Sequence, residues 1–195
     1  MNARVSTPVS QALDEGRITR AELRNLMRRR DALPLLHLLA WCFTVAATGT
    51  AVWFATDTLW FGLAMFVHGV VLVHHFSLQH ECTHYTAFRT RKLNDWVGAA
   101  CGFIIMVAPR YFRYEHCDHH TWTQVTGRDP EQIPLPKTLG SYLWYLSSVP
   151  YWWAKCKEIT SHAAGHLSDA DKVFVPKIEY SAVIWEARVI LAVYV

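Results

Sequence analysis

The chain is poor in charge and in paired cysteines, and no cleavable leader is expected at its start. Charged residues make up 18% of its 195 positions against 52% apolar, too little charge for an ordinary soluble surface. The net charge of +3 is too small to argue for nucleic acid as a partner. The five cysteines (Cys42, Cys82, Cys101, Cys117 and Cys156) are odd in number and form no C-x-x-C pair, which excludes a disulfide framework and a thiolate zinc site. Internal repeats and low-complexity segments are absent. About 30 mixed polar residues precede the first apolar run, which does not fit a signal peptide.

What the chain has in excess is long apolar runs and aromatic rings, with nine Trp, nine Phe and eight Tyr. The expectation is an all-α, multi-pass integral membrane protein. Residues 1–34 form a basic cytosolic lead-in, with a charged helix over Asp14–Arg30 that Pro34 breaks. Residues 35–195 form the membrane domain. About 20 apolar residues cross a bilayer, so 35–55 and 59–77 read as a transmembrane hairpin around the Thr56-Asp57-Thr58 turn, with Trp53 and Trp60 at the boundary. A further span begins at about 182 and runs out at the last residue, as in a truncated chain. Seven arginines before the first run place the N-terminus in the cytoplasm, and two crossings return the chain there. An anionic lipid surface accounts for this basic patch.

Two histidine clusters follow the hairpin: His80-Glu81-Cys82-Thr83-His84 and His116-Cys117-Asp118-His119-His120. Residues spaced i, i+3 and i+4 share a helix face, so His80 and His84 form one ligand set and His116, His119 and His120 another. The apolar stretch 96–108 between them holds 13 residues, about 20 Å of helix against a core of about 30 Å. It reads as an interfacial or re-entrant helix capped by Asn94 and ended by Pro109, which keeps both clusters on one side. Gly127 is the expected C-cap of the second cluster's helix, and 138–154 a second interfacial element.

Imidazole favours Zn, Cu, Fe and Ni. His80-Glu81-x-x-His84 matches the H-E-x-x-H of zinc metalloproteases, which would make Glu81 a general base. That reading leaves the second trio without a purpose. Five imidazoles exceed one tetrahedral zinc, while two irons need more ligands than five, which a third cluster would supply. Glu81 and Asp118 point off the ligand faces and are candidates to orient ligand rings, as is His75 inside the second span. His68 and His74 in the same span are either further support for the metal or polar contacts between helices.

The two boxes, H-x3-H at His80/His84 and H-x2-H-H at His116/His119/His120, resemble those of the membrane-bound fatty acid desaturases. Arg128-Asp129-Pro130-Glu131 is similar to the stretch that follows the second box there. The resemblance spans roughly residues 35–195. It implies a cytosolic di-iron centre ligated by the five histidines, with O₂ as co-substrate and a fatty acyl lipid as substrate. It also implies an electron donor such as ferredoxin, rubredoxin or cytochrome b5, in a bacterial inner membrane. The reaction implied is the introduction of a double bond; related enzymes hydroxylate instead. The family's third box, another H-x2-H-H, has no counterpart after His120. An N-terminal fragment is therefore expected.

Overall fold

The computed structural model describes residues 8–195, and every regular element among them is helical. The lead-in is two short helices, α1 (Pro8–Asp14) and α2 (Arg20–Leu26), where one was expected. Gly16, at φ +68°, turns the chain between them. The Thr19 hydroxyl and the Glu22 carboxylate then close a reciprocal capping box on α2. Residues 1–7 of the expected basic segment lie outside the described residues.

The first span, α3, runs over Ala32–Ala55. Pro34 sits in its first turn and does not break it, since a first-turn residue has no intrahelical N–H bond to lose. The second span is longer than expected. It comprises α4 (Phe61–Val73) and α5 (His75–Thr83), joined at His74. Taken together, Phe61–Thr83 has 23 residues and α3 has 24, about 35 Å each and enough to cross a bilayer core. Both keep apolar side chains such as Leu39, Phe43, Phe66 and Val70 exposed, the faces that lipid covers. Between the spans, His68 Nδ1 lies 2.8 Å from the Thr48 hydroxyl, and its ring packs beside Gly49. His68 is thus an interhelical polar contact.

The helix between the boxes, α6 (Arg91–Ile104), starts earlier than expected and packs mainly along α5. Asn94 is not its cap. It is buried within the helix, where its amide donates to Phe88 O at 2.9 Å and accepts from Phe88 N at 3.1 Å, closing the loop after the first box. Gly98 and Gly102 let α5 approach. A β-carbon on Gly98 would lie 2.9 Å from Cys82 Cβ, and one on Gly102 only 2.4 Å from Val107 O.

Helix α7 (Pro109–Trp122) carries the second box. It ends at Trp122, so Gly127 (φ +77°) belongs to the following turn and is not its C-cap. The aromatic stretch forms α8 (Leu139–Leu146), with no buried residue, and the start of α9 (Val149–Ala163). A four-residue α10 (Asp171–Phe174) and a 3-10 turn lead to α11 (Tyr180–Tyr194). Helix α11 covers the stretch expected to begin a further span. Its Val183, Ala187 and Ile190 are buried against α7 and α9, in one core with Tyr111, Ile159 and Leu167. Its charges are also used, with Glu186 accepting from Arg110 N at 2.8 Å and Arg188 Nε donating to Ala163 O at 2.9 Å.

Candidate metal centre

Helix α5 ends by presenting His80 and His84 one turn apart, and α7 lays His116 and His120 across them. Phe112 holds the second pair in place. It stacks on the His116 ring at 5.0 Å and meets Phe76 of α5 edge-on at 5.5 Å. One ligand nitrogen from each of His80, His84, His116 and His120 falls within 4.8 Å of the others. Both boxes therefore stand at one place, and the chain between them makes no net crossing.

The nitrogen geometry is hard to satisfy with protons alone. His116 Nε2 lies 3.0 Å from His84 Nε2 and 3.0 Å from His120 Nε2. On its other side, His116 Nδ1 is 2.8 Å from the Glu131 carboxylate. A carboxylate accepts, so Nδ1 carries the proton, and Nε2 of a neutral ring is then a bare lone pair. It can accept from one neighbour; the third nitrogen is left lone pair to lone pair. A cation satisfies all three at once. With metal–nitrogen bonds of about 2.1 Å, ligands at right angles are about 3.0 Å apart. The donor set thus fits a histidine-ligated transition metal.

Electrostatics point the same way. The His84 pKa is lowered from the ordinary value, chiefly by burial and then by the His116, His80 and His120 rings. Burial also lowers that of His116, against the pull of Glu131. Neutral rings are what a metal needs.

His119, expected among the ligands, is not brought into this group of four. Its Nδ1 donates to Asp129 Oδ1 at 2.7 Å, and its Nε2 stands 4.0 Å from Glu131 Oε2. Asp129 is buried and also accepts from the backbone N–H groups of Gln124 and Glu131 at 2.8 and 3.0 Å. The His119 bond foremost, then these two, holds its carboxyl below the usual range.

The three supporting groups expected from sequence are placed elsewhere. Glu81 accepts from the Thr86 hydroxyl at 2.6 Å. Asp118 makes no hydrogen bond among the described residues. His75 is buried, with Nδ1 2.8 Å from Leu72 O and its ring 5.6 Å from that of Trp41. His74 Nδ1 likewise turns to Val70 O. The carboxylates that do meet box imidazoles are Asp129 and Glu131. Glu131 was missed, although the Asp129-Pro130-Glu131 turn was the available signal.

A family model for fatty acid desaturases matches residues 57–195. The chain belongs to the fatty acid desaturase family. The matched segment starts after α3, so it takes in the second span and both histidine boxes but not the first span. Comparison with curated proteins and with solved structures returns no match. As a desaturase-family membrane protein, the chain has an assignable place for each box: the ends of α5 and α7, with α6 packed between them as the spacer. Four histidines in that place can hold a metal, and iron is the metal this family typically uses.

Behind the cluster lies a second polar network. The Tyr111 hydroxyl donates to Asp171 Oδ1 at 3.0 Å, and His162 Nε2 stands 3.1 Å from Asp171 Oδ2. Burial opposes ionisation of Asp171, but the bonds from His162, Ser168 and Tyr111 outweigh it and hold the pKa at about 2. Burial first, and Glu158 next, push Glu115 up to about 8. This network joins α7 to α9 and α10 and so fixes the helix that carries the second box.

Proposed function

We propose that this chain forms the histidine-ligated iron centre of an O₂-dependent oxidoreductase that inserts a double bond into a fatty acyl chain. The observation that carries the reading is the convergence of His84, His116 and His120 nitrogens at 3.0 Å in a desaturase-family chain. His80, His84, His116 and His120 would hold one iron. His119, with its free nitrogen beside Glu131, would contribute to a second. Bound iron supplies the O₂ chemistry that removes hydrogen from an unactivated acyl C–H bond, with electrons from a small redox protein such as ferredoxin, rubredoxin or cytochrome b5.

The chain's own residues prepare that chemistry. Glu131 fixes the tautomer of His116 and Asp129 that of His119, which leaves each Nε2 free to ligate. Phe112 and Phe76 pack an apolar wall against His116 and His80, keeping water from that side. We take the site, at the end of the second span, to lie at a membrane surface, the cytoplasmic one of a bacterial inner membrane. There an acyl chain can lie in the apolar region while its head remains in the interface.

The test pairs metal analysis with lipid analysis in the membranes of expressing cells. Iron and O₂-dependent unsaturated product are expected from the full-length protein that carries this wild-type sequence, and both should fall in His84→Ala and His120→Ala. Zinc with peptide cleavage, or iron and product unchanged in these variants, overturns the reading. A hydroxylated lipid in place of an unsaturated one keeps the centre and changes the outcome.

A further inference from the structure

We infer that Gln79 is a positioning residue that sets the gap between the two histidine-bearing helices; the inference rests on the metal-centre reading above. Gln79 immediately precedes His80 on α5, and its side chain is 0% exposed. Successive helical residues point about 100° apart, so while His80 looks to the cluster Gln79 looks into α6. Its Nε2 donates to Val107 O at 3.0 Å. A carbonyl only accepts, so the amide orientation is fixed, and Oε1 is left buried with no hydrogen-bond partner.

Val107 occupies the critical point of the link between α6 and α7. Its N–H donates to Gly102 O at 2.7 Å, and its C=O receives Gln79. Met106, at φ +56°, turns the chain so that both bonds form. Two residues later α7 begins, at Pro109. The position of Val107 therefore sets where α7 starts, and Gln79 is the tie from α5 to that position. His116 lies seven residues into the helix, about 10 Å along its axis. A tilt of about 6° at the start would displace it by about 1 Å over that length, comparable with the tolerance of a ligand set.

A side chain that only filled space would not keep a half-satisfied amide in a buried site, because methionine has similar length and no polar atom to strand. The donor is the part that is used. Gly102 leaves the room for it, since a β-carbon there would lie 2.5 Å from Gln79 Nε2 as well as against Val107 O.

The experiment uses the full chain in detergent, with Co(II) as the probe. Its visible bands report the geometry of a histidine site. Gln79→Met is expected to keep the helix content and apo melting temperature of wild type, to bind Co(II) about tenfold or more weakly, and to shift the visible bands. Gly102→Ala, which displaces the same contact without changing Gln79, should shift them too. Wild-type affinity and bands in Gln79→Met overturn the inference, as does failure of both variants to fold, which would mark a general packing role. His84→Ala is the control. If it binds Co(II) as well as wild type does, the metal reading itself falls. If it is dead to Co(II) while Gln79→Met is unaffected, only the role of Gln79 falls.

Discussion

Glu131 holds His116 from behind: its Oε1 stands 2.8 Å from Nδ1, on the far side of the ring from the nitrogen that meets His84 and His120. The ring is thus pinned between a carboxylate and a ligand cluster. The carboxylate raises the basicity of the ring and locks its tautomer. Glu131→Gln keeps the shape and removes the charge. Metal affinity, measured by chelator competition, is expected to fall about 10- to 100-fold. Unchanged affinity would show that the contact is incidental.

Acid should release the metal later than it would from free imidazole. Burial and neighbouring rings lower the pKa values of His84 and His116 from the ordinary 6.5. Protons therefore compete for these rings only below that value. The midpoint of metal release, followed by Co(II) absorbance during acidification, is expected below pH 6.5. A midpoint above it contradicts the neutral, desolvated cluster.

Asp171 should stabilise the fold over most of the pH range. Its pKa is about 2 in the folded chain against an ordinary 3.8. The folded state therefore prefers the ionised form, a contribution present above pH 3.8 and lost as pH falls through about 2. The shift corresponds to about 2 kcal/mol. Asp171→Asn is expected to lose about that much at pH 7, read as a drop in unfolding midpoint. A variant as stable as wild type at neutral pH would rule the role out.

Gly98 is a point where any side chain collides. Its β-carbon would sit 2.9 Å from Cys82 Cβ, between two helices with no room to part. Gly98→Ala gains helix propensity of about 1 kcal/mol but forces α5 from α6, an overpacking cost of about 1–3 kcal/mol. A lower melting temperature is expected, and Gly98→Val should lower it further. Rescue by Cys82→Gly, which removes the opposing β-carbon, in the alanine background would locate the clash; its absence would place the strain elsewhere.

The two spans and both boxes could be read from the sequence because each signal is local: apolar length in one case, i, i+3 and i+4 spacing in the other. What escaped depends on the chain doubling back. Glu131 reaches His116 across 15 residues, through an irregular turn with Gln124 at φ +63°. No periodicity announces such a return. Glu81 and Asp118 are next to ligands in sequence, yet adjacency on a helix turns a side chain about 100° away. Asn94 looked like a cap because Asn caps often; the Phe88 backbone, six residues back, claims it instead. Composition alone marked α11 as apolar, but that its Val183, Ala187 and Ile190 pack on α9 depends on a partner distant in sequence.

One clasp remains. Asp31, at the foot of the first span, accepts from both the N–H and the hydroxyl of Thr90 at 3.0 and 2.7 Å, and Arg29 donates to Tyr85 O. These bonds fasten a segment outside the desaturase match to the loop just after His84. The lead-in is therefore a structural support of the loop after the first histidine box, and a core defined by the family match alone would omit one of its own supports.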